Sequence, residues 1–227
     1  MTRWAKEVSP GNAWAEYPRP QVVRSEWQTL NGLWDYAIVG EGGEWKKPNV
    51  GNATYDPLLN KLPKPPAQWD GRILVPFGVE AALSGVGRLV RPNQLLWYRR
   101  AFDVRAKWLR RRILLHFEAV DWHCVVWVNG QRVGQNKGAS VPFTFDITDA
   151  LRTGGPQELT LVVWHPNNAG DQAVGKQALP EIKKGWRYTP TTGIGQPVWI
   201  EPVPDTPITP LALTPRSPMW NTNATPG

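Results

Sequence analysis

The acids of this 227-residue chain include Glu118, Asp121, Asp146, Asp149, Asp171, Glu181 and Glu201. Carboxyl groups do two sorts of chemical work. A close pair can serve as general acid/base and nucleophile. A single ionised carboxylate accepts hydrogen bonds from ligand hydroxyls. Asp121 lies between two apolar runs. It suits a sugar hydroxyl, but an acid accepting backbone N–H bonds in a turn is the expectation there. His123 and Cys124 are adjacent, and neighbours on a strand point to opposite faces, so no thiol–imidazole pair is expected. Cys124 reads as a small core residue. One Cys excludes an internal disulfide framework and a cysteine-rich zinc site. Three scattered His give little for a metal, and His116, expected to face outward from a strand, has no second His near it. No metal and no cofactor are expected.

The chain holds 14 Trp. Each is a flat apolar plate with an N–H donor, suited to a core, an interface or the C–H face of a sugar ring. Most are expected in the core. The formal charge is +7, and the basic residues cluster only at Arg105, Lys107, Arg110, Arg111 and Arg112. Nucleic-acid binding pairs such a stripe with a recognition helix or a stacking face. Neither is evident, so a solvated face is expected, with no nucleic-acid partner. No run approaches the roughly 18 apolar residues of a spanning helix, so no membrane partner is expected either. Met1–Pro20 has no apolar core of a secretory signal, and the compartment stays open.

The elements that must position these groups read as all-β. Short alternating runs bounded by Gly, Pro, Asn and Asp recur, and helical periodicity is nearly absent. Strands are expected at 32–39, 71–75, 97–104, 113–118, 124–128, 143–148, 159–163 and 198–200. Ile113, Leu115 and Phe117 face inward, as do Leu159, Leu161 and Val163. Asn129-Gly130 supplies the two positive-φ residues of a type I′ hairpin turn into 131–134. A short capped turn is expected at 146–151. Apolar residues on both faces imply two packed antiparallel sheets. Residues 41–70, rich in Pro, Gly, Asn and Lys, read as a surface insertion ordered only in part. Residues 166–186 form a second long connection, and the proline-rich stretch 205–227 reads as an irregular tail.

Three ordered stretches resemble one family. The first is the run Ile73-Leu74-Val75-Pro76-Phe77-Gly78-Val79-Glu80 with Leu83-Ser84-Gly85. The second joins Trp97-Tyr98-Arg99-Arg100-Ala101-Phe102, Phe117-Glu118-Ala119-Val120-Asp121-Trp122 and Val126-Trp127-Val128-Asn129-Gly130. The third is Tyr188-Thr189-Pro190-Thr191-Thr192-Gly193-Ile194 with Val198-Trp199-Ile200-Glu201-Pro202. Arg19-Pro20 and Leu30-Asn31-Gly32-Leu33-Trp34 fit ahead of them. Together, over residues 18–204, they resemble the N-terminal sugar-binding domain of glycoside hydrolase family 2, the β-galactosidase and β-glucuronidase group.

That resemblance implies a jelly-roll β-sandwich of the galactose-binding-like type. An immunoglobulin-like sandwich follows in the family, of which 205–227 would be the start, and then a (β/α)8 barrel carrying the catalytic carboxylates. The acids here do not fall in motifs like those of the barrel strands. The implied role is therefore a non-catalytic domain, missing its catalytic barrel domain as partner, with a β-glycoside as the carbohydrate partner. The alternatives are a free-standing carbohydrate-binding module and a structural remnant with no ligand.

In the family the 167–187 connection approaches the active-site mouth. Many members place a substrate-contacting Asp six residues before the Gly that corresponds to Gly193, and here that position is Arg187. The candidate substrate-binding residues are Asp171, Lys176, Gln177, Trp186 and Arg187. A connection that only docks on the barrel is the other reading.

Overall fold

A computed structural model of the chain describes residues 2–19, 21–40, 55–182 and 185–207. The strands are β1 (Gln28–Thr29), β2 (Gly32–Val39), β3 (Gly71–Val75), β4 (Leu95–Phe102), β5 (Arg112–Phe117), β6 (Val120–Asp121), β7 (His123–Val128), β8 (Gln131–Lys137), β9 (Phe143–Asp146), β10 (Gln157–Trp164), β11 (Gly193–Ile194) and β12 (Val198–Val203). A one-turn helix, α1 (Pro57–Asn60), starts on an Asp56 cap that accepts from the Leu58 N–H. One sheet has the order β3-β2-β4-β10-β7-β8, and the other β1-β12-β5-β9. Every pairing between these strands is antiparallel. The result is the expected all-β sandwich of jelly-roll type.

The core between the layers is what period-two alternation dictates. Ile113, Leu115 and Phe117 meet Val126, Val128, Leu159, Leu161 and Val163, with Cys124 among them. Trp34 sets its ring edge-on to Tyr98 at 6.2 Å. At the hairpin, Asn129 and Gly130 take φ of 52° and 81°, the left-handed values the turn needs. The Asn129 side-chain amide donates to the carbonyl of Ala150, 2.8 Å away. Asp146 caps the following turn by accepting from the Thr148 N–H at 3.0 Å.

Both sheets are also covered on their outer faces. The insertion at 41–70 is not merely superficial: Leu58, Tyr55, Leu62 and Trp69 pack on Ala37, Trp97, Val125, Val162 and Trp164, forming a second core. Residues 41–54 of it lie outside the described residues. His116 does point away from the main core, but it is 5% exposed. It stacks on Trp199 with ring centroids 4.0 Å apart. Its Nε2 lies 3.3 Å from the buried Glu201 carboxylate, which Arg19 and Arg24 reach at 2.9 and 3.2 Å.

The arginine run is not a bare stripe either. Arg111 pairs with Glu26 at 2.7 Å and Arg112 with Asp146 at 2.9 Å. Of the tail, residues 205–207 are described and the rest lies outside the described residues.

Candidate functional site

At one end of the sandwich, β6 and β11 form a two-residue ladder of their own, with Asp121 opposite Gly193 and Val120 opposite Ile194. Gly193 is required there. Its φ is +90°, and a Cβ would run into the hydroxyl of the buried Tyr98. That hydroxyl instead accepts from the Ile194 N–H at 3.3 Å. The ladder thus sits directly on the core and fixes Asp121.

Asp121 is buried and heads a chain of polar groups. Its Oδ2 accepts from the Gln177 amide at 2.7 Å, and Gln177 Oε1 accepts from the Thr191 N–H at 2.6 Å. Its Oδ1 lies 3.7 Å from His165 Nε2. His165 Nδ1 is 2.9 Å from Thr192 Oγ1. The Thr192 hydroxyl and N–H both donate to Glu80, at 2.7 and 2.8 Å.

The proton positions follow from this geometry. With the Thr192 hydrogen on Glu80, His165 Nδ1–H donates to Thr192, which leaves the Nε2 lone pair toward Asp121. Burial pushes His165 down to about 4, so it is neutral at pH 7. Burial pushes Asp121 up to about 6, against the opposing pull of the Gln177 hydrogen bond. Burial raises Glu80 as well.

Asp121 faces an open cleft of about 550 Å³, lined also by Glu118, Ser140, Gln177, Thr191 and Gln196. A cleft of that size with a few converging polar groups suits a small polar ligand. At pH 7 the Asp121 carboxylate is an acceptor for ligand hydroxyls. The expectation of a turn acid is corrected: Asp121 accepts from a side-chain amide and lines the cleft.

The candidates proposed from sequence fall in three places. Gln177 enters the Asp121 cleft. Asp171 lines a separate cleft beside Trp122 and Lys137. Lys176, Trp186 and Arg187 lie on the outer surface. The Arg187 guanidinium sits 4.9 Å over the 60% exposed Trp186 ring. Lys176 Nζ is 5.9 Å from the ring of Tyr188.

Sequence reasoning missed Glu80, His165 and Thr192. The available signal was a His following the apolar run of β10, which burial makes a candidate for a polar network rather than for solvent. Among the described residues, no group of three or more His, Cys, Asp or Glu could hold a metal ion. No helix among them is long and apolar enough to cross a membrane.

Residues 84–175 match the family described as glycosyl hydrolases family 2, sugar binding domain. Over 153 residues the chain is 30% identical to a β-glucuronidase of Paenibacillus borealis, a match covering 65% of this chain and 22% of that protein. Over 66 residues it is 39% identical to a β-galactosidase of Thermoanaerobacter pseudethanolicus, covering 29% of this chain and 9% of that one. A match to the β-glucuronidase of Sus scrofa is 28% identical over 146 residues, covering 60% of this chain and 20% of the relative. The chain therefore spans about a fifth or less of the curated relatives it matches.

Among solved structures, Bifidobacterium dentium β-glucuronidase complexed with coumarin-3-O-glucuronide superposes with a TM-score of 0.51 at 20% identity, over 82% of this chain and 32% of that one. Bacteroides uniformis β-glucuronidase 2, covalently bound to cyclophellitol-6-carboxylate aziridine, gives 0.51 at 22% identity, over 79% and 18%. At such identities the likeness concerns the fold. The two-sheet sandwich, the ordered motifs and the matched residues agree in their likeness to the N-terminal sugar-binding domain of glycosyl hydrolase family 2.

Proposed function

We propose that this domain is a non-catalytic wall of a β-glycosidase active site. The parent activity would be hydrolysis of O-glycosidic bonds in β-linked sugars by a retaining double displacement. That chemistry needs a carboxylate pair, which the family keeps on its barrel. The described residues form an antiparallel sandwich and no parallel-stranded barrel. The observation that carries the reading is the meeting of the Gln177 amide and the Asp121 carboxylate in one open cleft. By the resemblance, Arg187 stands at the position where many family members place a substrate-contacting Asp. Asp121 with Gln177 supplies the acceptor and donor that this position no longer offers. The domain is taken as 18–204, with 205–227 leading into a following sandwich; the end of the last strand at Val203 supports that boundary.

The purified chain is expected to show no turnover of chromogenic β-galactoside, β-glucuronide or β-mannoside. Saturation-transfer NMR with methyl β-galactoside and methyl β-glucuronide is expected to show weak binding. Gln177→Ala should weaken it by roughly fivefold or more, the worth of a buried hydrogen bond. Turnover that disappears on replacing Asp121 or Glu118 would overturn the reading.

The exposed Trp186 and Tyr188, 60% and 62% accessible, favour a second reading as a free-standing carbohydrate-binding module. It would be distinguished by glycan binding that is lost in Trp186→Ala and kept in Gln177→Ala.

A further inference from the structure

Asp121 and its successor serve different clefts. Trp122 lines a second cleft of about 390 Å³, lined also by Leu59 of α1 and by Asp171 and Gln172 of the 166–186 connection. This volume lies in the range of about 300–1,000 Å³ typical of small-molecule sites. Two indoles meet in its wall. Trp164 is 2% exposed, and its ring N–H donates to the carbonyl of Pro92 at 2.8 Å, so it backs the wall with ring carbon. Trp122 is half-buried and offers a larger accessible face. Leu59, 53% exposed, adds apolar surface at the lip.

The polar groups decide what kind of ligand fits. Asp56 has its side chain almost fully buried, and His123 Nδ1 lies 2.9 Å from its Oδ2. Lys137 Nζ meets the same oxygen at 2.7 Å. The Asp56 charge is therefore matched inside the wall, and the Lys137 charge is engaged. A phosphate or uronate would compete with Asp56 for that lysine and would be repelled by the carboxylate of Asp171, which lines the same cleft as an acceptor for hydroxyls, while a cation would face the lysine. An aromatic plate with a rim of charged and polar donors and acceptors suits a ligand with one C–H face and neutral hydroxyls on its edge.

We infer that this second cleft is a further sugar subsite, taking a neutral hexopyranose whose C–H face lies on Trp122 and whose hydroxyls meet Lys137 and Gln172. The inference draws its ligand class from the carbohydrate reading above, but its site is separate from the Asp121 cleft. A ligand in the active-site wall and a ligand here would be contacted by consecutive residues of one chain segment.

The test is a titration of the isotopically labelled chain with cellobiose, a neutral β-linked disaccharide, to about 10 mM, the range of weak sugar affinities. The side-chain indole N–H resonance of Trp122, assigned by its loss in Trp122→Phe, should shift saturably. Trp122→Ala should abolish binding, Trp122→Phe and Gln172→Ala should weaken it by roughly two- to tenfold, and Gln177→Ala should leave it unchanged. Dispersed spectra of Trp122→Phe and Gln172→Ala verify the fold independently of the alanine variant. Binding that is lost in Gln177→Ala and kept in both Trp122→Phe and Gln172→Ala overturns this inference and leaves the active-site wall standing. Absence of a shift at Trp122 while methyl β-galactoside still binds does the same. Absence of binding by every sugar overturns both.

Discussion

Asp121 and His165 titrate in opposite senses, and the pair sets the pH behaviour of the site. Asp121 is raised from 3.8 to about 6 by burial. Its protonated form is favoured in the folded state, so its contribution is full below pH 3.8 and is lost as pH rises through 6, by about 3 kcal/mol in all. His165 is lowered from 6.5 to about 4 by burial. Its neutral form is favoured, so its contribution is full above pH 6.5 and is lost as pH falls through 4, again by about 3 kcal/mol. Between pH 4 and 6 the two slopes cancel. Asp121→Asn removes one of them. It should gain about 1–2 kcal/mol at pH 8, where the buried charge is gone, and should then lose stability steeply below pH 6. Urea unfolding followed by tryptophan fluorescence at pH 8, 6 and 4.5 measures this, and a variant profile parallel to the wild type's would refute it. Little of this was legible from the residues. Asp121 reads as a turn acid because turn acids are common between strands, and only tertiary placement brings Gln177, fifty-six positions away, onto it.

At the scale of elements, the β6–β11 ladder is the part most dependent on one residue. Gly193→Ala would force a left-handed φ on a side-chain residue and drive its Cβ into Tyr98. It should cost about 2–4 kcal/mol, as overpacking and backbone strain combine. It should also weaken sugar binding in the Asp121 cleft, because Asp121 pairs with that residue. Thermal unfolding and the methyl β-galactoside titration check the two effects separately. The strands themselves were largely legible. Alternation placed Ile113, Leu115 and Phe117 on the core, and the Asn129-Gly130 turn formed as read. β8 runs to Lys137 rather than stopping at Gly134. Its polar sequence hides it, because it is an edge strand held by its pairing with β7 rather than by an apolar face.

Over the whole molecule, each sheet is covered twice, once by its partner and once by an irregular segment. The alternation of Val125 and Val126, buried on opposite faces, is the imprint of that double cover. Its meaning could not be read locally, since the covering segments have no periodicity. On the four-stranded sheet the cover joins the aromatic rings of Tyr17 and Trp27, packed on Trp199, to a buried charge cluster. Burial would raise the Glu201 carboxyl, yet His116 and Arg19 hold it below its ordinary value. Its stabilising effect is thus present above the ordinary carboxylate range and is lost as pH falls below that range through the lowered value. A chain beginning at residue 25 loses Tyr17, Arg19 and Arg24 and leaves this carboxylate beside His116 alone. It should be destabilised by about 3–5 kcal/mol, the effect of breaking a buried ion pair. Adding Glu201→Gln should restore a large part of that. Denaturant midpoints of the three chains test it, and an unchanged midpoint on truncation would show that the N-terminal cover is dispensable.

The lone thiol has a practical consequence. Cys124 is fully buried in the main core, and burial pushes it up to about 12. Thiol reagents act on the thiolate, so the folded chain is a silent background toward maleimides and iodoacetamide at neutral pH. A cysteine installed at position 171 or 186 would carry a spin label or dye alone, and modification of Cys124 itself would count the molecules that have opened through to the centre.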